Sequence, residues 1–132
     1  MDLGPRMLIE LLREGQTVRF TARGGSMWPA VRDGSLVEVT PCAASTLCEG
    51  ELGAYEGAVG VVVHRYVGRR GESLVFRGDA RPADEVVSEA RVLGRARVVT
   101  SPPWRLGAPS MRHAEMAARA ARTWLRRRLA RT

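Results

Sequence analysis

The hydrophobic pattern at the start of the chain repeats with the period of an α-helix. Its apolar positions are Met7, Leu8, Leu11 and Leu12. This spacing places the apolar side chains on one face of a helix, and Pro5 suits the first helical turn. The pattern therefore predicts a short amphipathic helix over residues 5–14.

The next segment changes to the alternation of a half-buried strand. In residues 17–23 apolar and polar side chains alternate strictly, so that one face of the strand is apolar. Further strand patterns, separated by Gly, Pro and Asp turns, lie at 35–40, 58–67, 73–77 and 91–100. The glycines of segment 68–71 favour a hairpin between the second and third of these strands. We therefore expect a mainly β core over residues 17–100.

The composition changes after residue 100, where Ser101-Pro102-Pro103 ends the strand pattern. From about Pro109 onward the chain is rich in Ala and Arg, with an apolar stripe at helical spacing. The sequence thus predicts one folded domain over 1–100, followed by a linker and a basic C-terminal helix over 101–132. Three roles of that helix stay open: packing on the domain, lying on an anionic membrane surface, or binding an acidic protein or nucleic acid.

The overall composition fits one globular domain and excludes several chemistries. The 132 residues are too few for two domains of ordinary size. All 21 residues counted as Lys or Arg are arginine, so a lysine base, a Schiff base and a P-loop lysine are excluded. The formal net charge is +7, yet aromatic residues make up only 5% and no RNA-binding aromatic motif occurs. Nucleic acid is therefore the disfavoured partner.

Neither a cofactor nor membrane insertion is expected. The two cysteines, Cys42 and Cys48, are too few for a disulfide framework and lack the spacing of a zinc motif. The longest apolar run is much shorter than the ~20 residues of a membrane-spanning helix, and the N-terminus lacks the pattern of a secretory signal. We therefore expect a cytoplasmic protein without metal or cofactor. Its basic helix is compatible with peripheral attachment at the inner face of the membrane.

The segment Gly24-Gly25-Ser26-Met27-Trp28-Pro29 follows the first predicted strand. A serine beside glycines is accessible to a ligand, because glycine has no side chain to obstruct the approach. The same residue types also form ordinary turns. The segment therefore leaves two interpretations open: a nucleophile in an exposed turn, or a turn without chemistry.

A serine nucleophile requires a neighbouring base, and this lysine-free chain offers His64 and His113. His64 lies within a predicted strand, where a histidine can also be a hydrogen-bonded structural residue. His113 begins the basic tail and is expected to be solvated. A carboxylate bonded to the far ring nitrogen of His64 would fix its tautomer. Asp79 and Asp84, in the loop after the paired strand, are the candidates, although aspartate in such a loop is also a turn residue.

Taken in chain order, these segments resemble the type I signal peptidases and the related self-cleaving SOS-type repressors. GGSMWPAVRDGSLVEV is similar to their serine box and VVVHRYVGRRGE to their base box. FRGDARPAD, followed by VLGRARVV, is similar to their Gly-Asp box and to the strand that closes the catalytic core. The resemblance runs from Val18 to Val99 and implies a folded β-sheet or partial barrel. Histidine in the base box is typical of the endoplasmic-reticulum and archaeal branch.

The resemblance also implies residue roles. Ser26 would be the nucleophile and His64 the general base. An aspartate would be the orienting acid, with Asp84 favoured over Asp79. The oxyanion and substrate-binding residues would be Gly24, Gly25, Met27, Trp28 and Pro29. Because Gly24 stands where the bacterial enzymes carry a hydroxyl donor, the backbone N–H of Ser26 is the expected oxyanion donor.

The predicted function is that of a small serine endopeptidase, and the resemblance implies that it cleaves an extended peptide or leader segment at small residues. Its partner would be a peptide or protein substrate. The alternative is a non-catalytic module that retains the peptidase-like sheet and binds peptides or nucleic acid.

Overall fold

The computed structural model describes residues 4–103 and residue 126. It is mainly β with one short helix, which confirms the predicted class. Apart from residues 101–103 and 126, the predicted linker and basic helix lie outside the described residues, as does His113. Within the described part of the chain, no helix is both long and apolar enough to cross a membrane.

Helix α1 and seven strands form the described domain. Their bounds are α1 Pro5–Arg13, β1 Val18–Thr21, β2 Leu36–Pro41, β3 Leu52–Glu56, β4 Val61–Arg70, β5 Ser73–Arg77, β6 Asp84–Val87 and β7 Val92–Thr100. The helix and five of the strands lie where the hydrophobic periods predict them. β3 and β6 do not alternate: three consecutive residues of β3 are buried, and β6 begins with two acidic residues. The sequence patterns therefore do not indicate these two strands.

The seven strands form one antiparallel sheet in the order β1-β2-β7-β3-β4-β5-β6. The last strand, β7, pairs with both β2 and β3 and so joins the two halves of the sheet. The predicted hairpin between residues 58–67 and 73–77 is confirmed as the pairing of β4 with β5. β1 and β6 are the two edge strands.

The core consists of two clusters of buried side chains. α1 contributes Leu8 and Leu12 to the first cluster, which also includes Val37 and Val39 of β2. Burying a leucine side chain is worth about 1.5–3 kcal/mol, so these contacts tie the helix to the sheet. The second cluster is centred on three aromatic side chains of β3, β4 and β5, namely Tyr55, Tyr66 and Phe76. The candidate site borders both clusters.

The sheet is strongly curled, and the curl forms a cleft. Three strands separate β1 from β4, which in a flat sheet would place them ~19 Å apart at about 4.8 Å per strand. Phe20 of β1 and Val61 of β4 nevertheless line the same cleft. Residues 61–64 of β4 pair only with β3, because pairing with β5 begins at Arg65. The cleft is therefore bounded by two strand edges, that of β1 and that of residues 61–64. The backbone N–H and C=O groups on these edges can pair with an added strand.

Candidate active site

The turn after β1 presents Ser26 at the cleft. It is closed by a hydrogen bond from the Gly24 N–H to Asp33 Oδ1 (2.8 Å). A second bond runs from the Val31 N–H to the Met27 carbonyl oxygen (2.8 Å). Gly24 has a positive φ of 89°, which glycine adopts without steric cost. Met27 is buried in the first core cluster and anchors the turn, while Ser26 next to it stays partly exposed.

His64 of β4 faces this serine. Its Nε2 lies 3.1 Å from Ser26 Oγ, a hydrogen-bond distance between residues 38 positions apart in the chain. The ring is buried, with 8% of the residue exposed. The two residues that the sequence singles out as nucleophile and base are thus brought together. This contact is the geometry that general-base activation of a hydroxyl requires.

The other ring nitrogen of His64 contacts a tyrosine. His64 Nδ1 lies 3.1 Å from Tyr55 Oη, and the Tyr55 hydroxyl donates to Glu85 Oε2 at 2.7 Å. Because the single phenolic proton points to Glu85, Tyr55 Oη accepts a hydrogen bond from Nδ1–H. The Nε2 atom is then unprotonated and accepts the Ser26 hydroxyl proton. This assignment of hydrogens gives His64 the tautomer of a general base.

The register of the sheet explains how these side chains meet. Tyr55 pairs with Val62 across β3 and β4, which makes His64 its diagonal neighbour on the same face. The Phe76 ring of β5 packs against the Tyr55 ring at 4.8 Å between centroids, with the ring planes tilted by 41°, and Phe76 pairs with Glu85 of β6. Four adjacent strands thus carry Tyr55, His64, Phe76 and Glu85 on one face.

Burial and charge set the protonation states. Burial lowers the pKa of His64 below its usual 6.5, and Arg81 lowers it further, while the Glu85 carboxylate partly opposes this effect. Burial also raises the pKa of Tyr55 well above that of a free phenol, and its hydrogen bond to Glu85 adds to the rise. At neutral pH the imidazole is therefore free to accept a proton, and the tyrosine keeps its own.

The structure does not place Asp84 where the resemblance predicts it. Asp84 pairs across the sheet with Arg77, and its Oδ1 accepts a hydrogen bond from Arg77 Nε at 2.6 Å. Successive residues of a strand point to opposite faces, so Asp84 and Glu85 lie on different sides of β6. The carboxylate that reaches the His64 network is thus one residue later than expected.

Asp79 is likewise engaged elsewhere. It accepts two hydrogen bonds from the Arg65 guanidinium, at 2.8 Å and 2.7 Å. Its backbone N–H contacts the Met27 sulfur, and the neighbouring Ala80 N–H donates to the Ser26 carbonyl oxygen at 2.8 Å. The Asp79 turn therefore supports the main chain at Ser26, and the Asp79 carboxylate acts on His64 only at a distance, through its charge.

Gly78 packs closely against both Ser26 and His64. A Cβ atom at this position would lie 2.7 Å from the Ser26 carbonyl oxygen and 3.3 Å from His64 Nε2. The first distance is shorter than such contacts allow, so any side chain would displace the main chain of Ser26. The close approach of the serine and the histidine depends on glycine here.

Gly78→Ala is therefore expected to lower any Ser26-dependent activity about tenfold or more, because displacements near 1 Å at reacting groups cost up to ~10²-fold. Gly4→Ala is the matched control, since a Cβ there meets no atom within 4 Å. Activity assays on both variants, with circular dichroism to verify folding, measure the effect. Equal activity of Gly78→Ala and the original protein would contradict the importance of this contact.

The cleft beside Ser26 has a volume of about 440 Å³. Its lining is apolar along the two strands and includes Phe20, Val61 and Val63. Of the residues expected to bind substrate, Gly24 and Met27 line it. The others, Gly25, Trp28 and Pro29, belong to the same turn but are not among its lining residues.

No protein-family model and no curated protein matches the chain. The assignment of a function therefore depends on the geometry of the site.

Sequence reasoning does not identify Tyr55 and Glu85, which complete the hydrogen-bond network. Both lie in strands that show no alternation, β3 and β6. One signal in the sequence could have identified Tyr55: it precedes His64 by nine residues, and the glycines at 57 and 60 between them favour a turn. A hairpin closed there places a buried aromatic hydroxyl beside the histidine.

Proposed function

We propose that this protein is a serine endopeptidase in which Ser26 is the nucleophile and His64 the general base. The observation that supports this proposal is the 3.1 Å contact between Ser26 Oγ and His64 Nε2, with the opposite ring nitrogen held by Tyr55. A serine hydroxyl is a weak nucleophile without such a base. The chain order of its serine and histidine segments, similar to that of histidine-type signal peptidases, supports the same reaction class.

The first half of the reaction forms an acyl-enzyme. His64 Nε2 takes the hydroxyl proton as Ser26 Oγ bonds to the scissile carbonyl carbon. The backbone N–H of Ser26 donates to the oxyanion, a contact of the kind that is worth about 2.7–4 kcal/mol. The peptide C–N bond then breaks, and the imidazolium gives its proton to the departing amine.

Water completes the second half. His64 removes a proton from water as the water oxygen attacks the acyl carbon, and the bond to Ser26 Oγ breaks with return of the proton. Throughout, Tyr55 accepts the Nδ1–H bond, and the Glu85 carboxylate behind it favours the imidazolium electrostatically. In this mechanism the pair Tyr55 and Glu85 takes the place of the orienting aspartate.

The open strand edges favour an extended peptide as substrate. A peptide laid between β1 and residues 61–64 of β4 would add a strand to the sheet through main-chain hydrogen bonds. The apolar walls and limited volume of the cleft favour small side chains next to the scissile bond.

A peptide library tests the proposal. We expect the protein to cleave a mixture of proteome-derived peptides next to small residues, as read by mass spectrometry of the new termini, and the Ser26→Ala variant to cleave none. Peptides that bind both proteins but are never cut would indicate the binding module instead. Cleavage of the same bonds by both proteins would refute the role of Ser26.

A further inference from the structure

The arginines of the domain divide into two groups by their partners. Eight of them form ion pairs with acidic side chains. Among the described residues, Arg23 and Arg81 take part in none, and both are exposed. These two arginines line the cleft that contains Ser26 and His64. Two exposed cations in the lining of a cleft whose strand walls are apolar point to an anionic feature in its ligand.

The two arginines enter the cleft from different segments. Arg23 follows β1, two residues after its last residue. It also lines the adjoining cavity of about 440 Å³ that reaches Pro5 of α1. Arg81 follows the turn that supports Ser26, and its N–H donates to the Gly78 carbonyl oxygen. Its charge reaches the imidazole, where it helps to lower the pKa of His64.

The acidic residue that lines the cleft does not cancel these charges. Glu85 also lines the cleft, but one carboxylate oxygen accepts the Tyr55 hydroxyl proton at 2.7 Å. The other lies 3.5 Å from an Arg91 nitrogen. The Glu85 carboxylate is thus already engaged by Tyr55 and Arg91. The positive charges of Arg23 and Arg81 therefore stay available to a ligand in the cleft.

We propose that the protein selects peptides that carry a carboxylate side chain within a few residues of the scissile bond. Arg23 recognises a carboxylate on one side of that bond, and Arg81 recognises a carboxylate on the other side. This inference rests on the proposed peptidase function and adds a substrate class to it: small side chains at the cut, flanked by Asp or Glu. Arginine suits the role because its planar guanidinium accepts a carboxylate in a two-point contact.

Binding to the Ser26→Ala variant tests the selection without requiring turnover. The probes are capped peptides, about ten residues long, with a central Ala–Ala bond. One carries Glu on the amino side of that bond, one carries Glu on the carboxyl side, and each has a twin with Gln. We expect the Glu peptides to bind about three- to fivefold more tightly than their twins for each arginine engaged, the upper range for an exposed ion pair.

The preference is expected to disappear for one peptide in Arg23→Gln and for the other in Arg81→Gln, both made in the Ser26→Ala background. Arg70→Gln is the matched control, because Arg70 is also exposed and outside the ion pairs of the described residues but lies at the far end of β4. Raising the salt concentration should weaken the preference.

The outcomes separate this inference from the peptidase proposal. A Glu preference in binding, together with no cleavage by the original protein, would support recognition of an anionic ligand and contradict the peptidase function. Cleavage without any Glu preference would keep the enzyme and overturn the inference. Equal binding of Glu and Gln peptides to all variants, or no binding of either, also overturns it.

Discussion

Replacing Ser26 or His64 by alanine is expected to lower kcat by about 10⁴-fold or more, and replacing both is expected to lower it no further. The two groups act as one unit, because the hydroxyl has no activating base without the imidazole and the imidazole has no nucleophile without the hydroxyl. Initial rates on the best library peptide, for the two single variants and the double variant, measure the coupling.

The three variants are also informative if the proposal is wrong. Independent, multiplicative losses would mean that the two residues do not act on the same step. Retained activity in His64→Ala would leave the 3.1 Å contact with Ser26 Oγ as a structural hydrogen bond. Ser45→Ala controls for the loss of an exposed serine hydroxyl elsewhere on the surface.

The second large effect is expected at Tyr55. Tyr55→Phe removes the acceptor of the His64 Nδ1–H bond but keeps the ring that packs on Phe76. The imidazole can then protonate at Nε2 instead, a tautomer that cannot accept the Ser26 proton. We expect kcat to fall about 10²-fold, below the ~10⁴-fold loss known for a wrong tautomer in a serine protease. Nitrogen NMR of the histidine ring reports the tautomer independently of activity.

Tyr66→Phe is the matched control, since Tyr66 is another buried tyrosine of the same cluster and also packs on Phe76. We expect its kcat to change less than about twofold. An equal loss of kcat in both variants, with the His64 tautomer unchanged, would mean that Tyr55 contributes only packing.

The pH profile separates the charge of Glu85 from its hydrogen bond. In the original protein the acidic limb of kcat/KM should lie below pH 6.5, because burial lowers the pKa of His64 and activity is lost only when the imidazole becomes protonated. The Glu85 carboxylate raises that pKa, so Glu85→Gln should move the limb to still lower pH while its amide oxygen can still accept the Tyr55 proton. A limb that moves to higher pH would contradict this network.

The sequence predicts the parts of the fold that repeat with a clear period. The helix at the start of the chain and the alternating strands, β1 among them, follow from their hydrophobic patterns. The pattern does not predict β3, because both faces of this strand are buried in the curled sheet. Gly53, Ala54 and Tyr55 are therefore all buried and show no alternation. Local pattern cannot reveal a strand that is buried on both sides and carries small residues.

The candidate site divides in the same way. Local chemistry offers Ser26 and His64 as candidates, and the resemblance to signal peptidases favours them as nucleophile and base. The orienting group could not, because the choice between Asp84 and Glu85 depends on strand register, and a shift of one residue moves a side chain to the other face. Which of two neighbouring carboxylates reaches the network is a property of the assembled sheet.

The most direct test of the central claim is to trap the acyl-enzyme. A short incubation with a cleaved peptide or its ester, stopped with acid, leaves the amino-side fragment on the nucleophile if deacylation is the slower step. The account predicts a mass increase equal to that fragment on the peptide containing Ser26, slower formation in Tyr55→Phe, and none in His64→Ala. Cleavage accompanied by an acyl group on any other residue would contradict it.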